Sequence, residues 1–255
     1  MGKGKVSATL DPGLAAELER VRAELEQQRH LAEEKEHQLE RYASDLRETF
    51  KAERARAEEL RVSYLATVRA LMNAVEARDS YTGRHAERVA AFGLELARRV
   101  DPTLAADPQT ELGFLLHDVG KVAIPDGILH KVGNLAPEEE ALMRRHTIIG
   151  SEIVRGIAFL NEAAKVVRYH HERYDGRGHP EGLAGESIPL AARILAVVDA
   201  LDAMTSDRPY RPGASFANAR ETICGGAGSQ FDPAIVGALE TISDEAFERI
   251  RAEVG

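Results

Sequence analysis

The chain has 255 residues, enough for one large domain or a domain with an accessory element, and at 44% hydrophobic and 29% charged it can bury a sizeable core. A net charge of −9 argues against general nucleic-acid binding, which needs an extended basic surface, but leaves room for one small phosphate substrate at a local positive site. The lone Cys224 excludes an internal disulfide, the opening MGKGKVSATLDPG lacks the apolar core of a signal peptide, and no stretch approaches the ~18 consecutive apolar residues of a membrane span. These features predict a cytoplasmic protein.

From about Leu14 to Arg61 the chain is dense in Glu, Arg, Gln and Ala, with no Gly or Pro. Leucine recurs every seven residues at Leu18, Leu25, Leu39, Leu46 and Leu60, with Ala32 and Glu53 in the gaps. The companion positions Leu14 and Val21 are apolar, whereas Gln28, Lys35, Thr49 and Arg56 are polar. This is a coiled-coil seam of limited stability, and it predicts a homodimer. The helical pattern continues without a break through Leu65, Val68, Leu71 and Val75. A boundary near residue 61 separates this element from a second region, about 62–255.

The second region reads as a succession of helices. Breaks fall at DSYTGR, VDPT, VAIPDGILHKVGN, RYDGRGHPEGLAGESIP, SDRPYRPGAS and GGAGSQFDP. Helix starts are marked by Pro137 followed by three glutamates, by Asp232 before Pro233, and by Ser243 before Asp-Glu. No alternating segment of strand length stands out, so the predicted fold class is all-α. The loop from Glu172 to Pro189 is long enough to suggest a functional role.

Of the nine histidines, His30 and His37 lie on the polar surface of the coil and His130 lies in a loop. His85 shares a helix face with Val89, Phe92 and Leu96. His117 and Asp118 end the apolar helix containing Leu112, Leu115 and Leu116, with Lys121 one turn on. His146 follows EEEALMRR, and His170 and His171 close an apolar stretch. Asp199 sits among Ile194, Leu195, Val197, Val198 and Leu201, which predicts a buried or nearly buried carboxylate that needs a cation. No Lys or Arg neighbours it in the helix, so a metal is the economical partner. His85, His117, Asp118, His146, His170, His171 and Asp199 together give five imidazoles and two carboxylates, a set suited to Fe, Mn, Co, Ni or Zn. Seven ligands exceed the need of one ion. If Asp118 is shared, two divalent ions can each take about four ligands and keep open positions.

HDVGKVAIPDGILHKVGNL, the His146 that follows it, HHERYDGRGHPEGL and RILAVVDALDAMTSDRPYR together resemble the HD-GYP family of the HD phosphohydrolase superfamily. The resemblance runs from about Tyr81 to Pro233. It implies an all-α phosphodiesterase that hydrolyses cyclic di-GMP to pGpG, and onward to GMP, in bacterial second-messenger signalling. It also implies that the seven residues above are the metal ligands, with Fe or Mn the expected metal. Asp118 and Lys121 match the catalytic positions, and Lys121 is the lysine that contacts the substrate phosphate. Arg208 and Arg211 match residues that hold the cyclic dinucleotide, and Asp79 and Asp202 match acidic positions near the site. Two departures stand out. The motif tyrosine is His179, in Gly178-His179-Pro180, which by its place is expected to touch the substrate edge or a partner rather than a metal. Tyr81 stands where three-metal members carry a glutamate, which favours two ions. Three other readings remain: a cyclic dinucleotide receptor with little turnover, an HD hydrolase of another cyclic nucleotide, and a coiled-coil scaffold with a structural metal. Control of any enzyme would enter through the coil or a signalling partner protein.

Overall fold

The computed structural model describes residues 12–78, 84–157, 159–207 and 212–254. The predicted breaks around Asp79 and Tyr81 and around Arg208 and Arg211 lie outside these residues. The described residues are helical, with no β-strand and only two isolated bridges, Asp175–Ala184 and Ala227–Phe231, in agreement with the all-α expectation. The chain divides into two compact units between Val62 and Ser63. Helix α1, Pro12–Glu76, passes through that boundary. No helix is long and apolar enough to cross a membrane.

In the first unit α1 is a solvated helix. Leu18, Leu25, Leu39, Leu46 and Leu60 are all exposed, by 46–67%. Ion pairs such as Arg22–Glu19 and Arg61–Glu58 follow helical spacing and are exposed, so each contributes only a few tenths of a kcal/mol. The unit has no core of its own.

In the second unit the last turns of α1 bury Leu65, Val68 and Met72 in the core. Then follow α2 (His85–Val100), α3 (Pro102–Ala106), α4 (Pro108–Leu115), a 3₁₀ turn (Val119–Ala123), α5 (Asp126–Leu129), α6 (Pro137–Arg144), α7 (His146–Arg155) and α8 (Asn161–Tyr169). After a second 3₁₀ turn (Gly185–Ser187) come α9 (Leu190–Thr205), α10 (Phe216–Gly225), α11 (Pro233–Glu240) and α12 (Asp244–Val254). The starts obey local chemistry. Asp101, Asp107 and Asp232 each accept a backbone N–H from a helix that opens with proline, and Ser215 accepts from Asn218 N. Glu139 accepts the Ala136 N–H at 2.7 Å, and Ser243 accepts that of Ala246 at 3.3 Å.

Helices α2 and α9 carry the centre of the core. Phe92 and Leu96 on α2, and Ile194, Leu195, Val197 and Val198 on α9, have no exposure. Phe92 meets Phe216 and Phe247 edge-on at 6.0 and 5.1 Å. Each such side chain contributes roughly 1.5–3 kcal/mol by burial. With its apolar residues on several sides, α9 is the helix that neighbours surround. The ends of α2, α4, α7 and α8 and the middle of α9 carry the predicted ligands. Gly120 lets one of these ends meet another: a Cβ there would lie 1.9 Å from the His146 carbonyl oxygen and 2.6 Å from Gly150 N. Only glycine permits that approach, which brings the Asp118–Lys121 turn against the start of α7.

Candidate metal centre

Two triads form among the predicted ligands. His85, His117 and Asp199 place one ligand atom each within 4.8 Å of the others, and His146, His170 and His171 do the same. His85 Nε2 lies 3.4 Å from Asp199 Oδ1. His146 Nε2 and His170 Nε2 face each other at 3.4 Å. Asp118 reaches both groups, with Oδ2 3.3 Å from His117 Nε2 and Oδ1 3.5 Å from His146 Nε2. Lys121 Nζ stands 2.8 Å from Asp118 Oδ2. All seven predicted ligands and Lys121 therefore gather in one place.

Four of the five imidazoles are oriented from behind. His117, His146 and His170 direct Nδ1 at the carbonyl three residues back, on Phe114, Met143 and Val167, at 2.7–2.8 Å. A carbonyl can only accept, so Nδ1 carries the hydrogen and Nε2 is left to face the site. His85 Nδ1 donates to Asp202 Oδ2 at 2.8 Å. Such partners fix tautomer and ring plane in metal-binding histidines. Three of these elements end in the same local device, a helix end or start whose spare carbonyl takes the Nδ1–H.

The electrostatics calls for a cation. Burial pushes the His170 imidazole well below its ordinary range, aided by His171 and His117. Burial likewise pushes His171 down to about 4, with His146 adding to it, and lowers His146. His146 and His170 both aim Nδ1 at a backbone carbonyl, which turns their Nε2 atoms toward each other at 3.4 Å. Burial also opposes charge on His117, but Asp118 and Asp199 outweigh it and raise that imidazole to about 9. His117 Nε2 is buried and has Asp118 Oδ2 beside it at 3.3 Å. Burial works against the Asp118 carboxylate too, yet Lys121, His117 and His146 hold it well below the usual range. Facing imidazole nitrogens and an ionised carboxylate between them fit a metal ion, with nitrogen and oxygen ligands of the kind divalent transition metals take.

The surroundings hold two residues that sequence reasoning weighed and three that it missed. Asp199, expected to be buried or nearly so, keeps 27% of its side chain exposed and lines the site's cavity. The fully buried acid of α9 is Asp202, held by Arg88 Nε at 2.7 Å and Nη2 at 3.0 Å. Arg88 lies one turn after His85, and that spacing was its only signal. His179 stacks on His171 with ring centroids 5.0 Å apart and 23° between planes. Its Nε2 is buried without a partner among the described residues, and burial, then Arg144, pushes it down to about 4. Glu172, also missed, organises the long loop by accepting the Glu181 and Gly182 N–H groups at 2.8 and 3.0 Å. A cavity of about 370 Å³ opens onto His85, Asp118, Lys121, His146, His171 and Asp199, and the third missed residue, Glu76 of α1, also lines it. Arg208 and Arg211 lie outside the described residues.

Residues 69–235 match the model of the HD domain family. The chain belongs to the HD domain family. This HD domain is 40% identical over 175 residues to the cyclic di-GMP phosphodiesterase response regulator RpfG of Xanthomonas campestris, covering 68% of this chain and 46% of that one. It is also 40% identical over 186 residues to 3'3'-cGAMP-specific phosphodiesterase 2 of Vibrio cholerae, covering 72% of this chain and 35% of that one. The chain thus spans less than half the length of either relative. Among solved structures, a cyclic GMP-AMP-specific phosphodiesterase of Vibrio cholerae shares the HD fold, with a TM-score of 0.54 at 18% identity over 72% of this chain and 52% of that one.

Proposed function

We propose that this HD domain is a metal-dependent phosphodiesterase that hydrolyses cyclic di-GMP to linear pGpG, which a second cut takes to GMP. The observation that carries the reading is Asp118, which touches both ligand triads while pairing with Lys121 at the cavity. His85, His117 and Asp199 would hold one ion and His146, His170 and His171 the other, with Asp118 shared; Fe or Mn suits this donor set. Bound divalent ions supply Lewis acidity toward phosphoryl oxygens and ease the ionisation of water at the site.

The chain's own groups do the rest. The Lys121 ammonium offsets negative charge that grows on the phosphate, the kind of stabilisation that usually contributes most. Arg208 and Arg211 would grip the second phosphate or a guanine edge, since arginine makes bidentate contacts. His179, braced against His171, would form part of the substrate edge. The neutral imidazoles keep their Nε2 atoms as ligands, and Met72, Val75 and Met143 give the cavity an apolar wall that limits water. The exposed leucines of α1 support pairing of two copies into a dimer through residues 14–60. The enzyme would act in the cytoplasm and answer to signalling partners through that helix.

A second reading, hydrolysis of 3'3'-cGAMP, is favoured by the equal identity to a relative of that name. The test is turnover: the full chain loaded with Mn or Fe should release pGpG from cyclic di-GMP, and Asp118→Ala should abolish it. Product from 3'3'-cGAMP alone would select the second reading, and no product from either with Mn, Fe, Ni or Co would refute the enzymatic reading.

A further inference from the structure

Besides Asp118 and Asp199, the cavity at the metal centre carries one further acidic side chain, and it belongs to neither ligand triad. Glu76, at the end of α1, lines it beside Met72 and Val75 of the same helix. Its Oε1 accepts the Ala86 N–H at 2.5 Å, which ties α1 to the first turn of α2. The rest of the lining divides by chemistry. Lys121 and the ligand residues suit a phosphate, while Met72, Val75, Leu129 and Met143 give apolar surface of the kind a flat base covers.

A carboxylate in such a place repels phosphate and cannot donate a hydrogen bond. It fits a part of the ligand that is uncharged and rich in donors. Guanine supplies that part: its N1–H and exocyclic amine lie side by side, and Oε2, the oxygen not bonded to Ala86, can accept from that edge. The same edge of adenine turns the N1 lone pair toward the acid, an unpaired contact that costs free energy in a confined site. We propose that Glu76 is a specificity-determining residue that reads the Watson–Crick edge of a guanine in the substrate. This rests on the reading of the site as one for cyclic dinucleotides, and it assigns the selectivity that the reading leaves open.

The test compares the full metal-loaded chain with Glu76→Gln on cyclic di-GMP, 3'3'-cGAMP and cyclic di-AMP, by kcat/KM and by equilibrium binding of the phosphorothioate analogues. Glutamine keeps a carbonyl oxygen for Ala86 N, so the link between α1 and α2 survives, but its amide presents donors to the donors of guanine. The preference for cyclic di-GMP over cyclic di-AMP should shrink roughly 10–100-fold in both measurements, the loss expected for charge-assisted hydrogen bonds, with metal content unchanged. An equal loss on all three ligands would mean that Glu76 only supports structure and would overturn the proposal. Loss of a metal equivalent would make Glu76 a ligand and would overturn it too. A wild type that binds with guanine preference but turns nothing over defeats the enzymatic reading and leaves the Glu76 comparison decisive through binding. A wild type that binds none of the three defeats both.

Discussion

Replacing Asp202 with asparagine should damage both the fold and the metal centre, although Asp202 is not a ligand. The carboxylate has no exposure and takes three donors: His85 Nδ1 at 2.8 Å and Arg88 Nε and Nη2 at 2.7 and 3.0 Å. Burial opposes its charge, but the bonds from His85 and Arg88 prevail and hold it down to about 2 from its ordinary 3.8. A depression of this size stabilises the folded state by a contribution on the order of 2–3 kcal/mol. The sign follows from the direction: the contribution is complete above pH 3.8 and is lost as pH falls through about 2. Asparagine removes the charge and turns an NH₂ toward a donor, and breaking a buried ion pair by removing one member costs about 3–5 kcal/mol. For a unit of this size the melting midpoint should fall on the order of 10 °C. His85 loses the acceptor that fixes its tautomer, so metal affinity should drop roughly 10–100-fold. Denaturation of the metal-free protein and chelator competition on the loaded one measure the two effects separately. A variant within about 0.5 kcal/mol of wild type in stability and unchanged in metal affinity would refute the role assigned to this carboxylate.

Three further outcomes are expected. Lys121→Ala should leave metal content intact while kcat on cyclic di-GMP falls by about 10²-fold or more, and loss of metal instead would contradict its assignment to the phosphate. His179→Ala should keep its metal by elemental analysis and raise KM, and His179→Tyr should be tolerated; a missing metal equivalent in the alanine variant would make His179 a ligand. Light scattering should find the full chain dimeric at micromolar concentration and a chain lacking about the first 60 residues more weakly associated, whereas a monomeric full chain would remove the role given to the α1 seam.

The candidate ligand positions were legible because, apart from Asp199 in the middle of α9, each sits at a helix end that the sequence marks. An apolar periodicity runs into a histidine, and the order of the motifs supplies the partners that distance along the chain conceals. Helix α1 was legible for the opposite reason, an unbroken polar and leucine-bearing run with no residue able to stop it. Side-chain burial on α9 was less so. Apolar neighbours surround both acids in sequence, but Leu195, Val198, Leu201 and Asp202 turn inward while Asp199 faces the cavity. Helix rotation against its neighbours decides that, and no local pattern encodes it. Arg88 and Glu76 escaped notice because their partners are set by packing: Asp202 lies 114 residues from Arg88, and Glu76 meets Ala86 of the next helix, ten residues on. Glu172 was hidden by the loop it organises, where the bonds run to backbone N–H groups and leave no trace in residue type.

The account depends most on Asp118 joining two metal ions, and the direct measurement is the number of ions bound per chain. Elemental analysis of the full chain saturated with Mn or Fe should give two, and Asp118→Ala at the same free metal should hold fewer. A wild type that takes up no more than one ion, or an Asp118→Ala variant that keeps two undiminished, would contradict it.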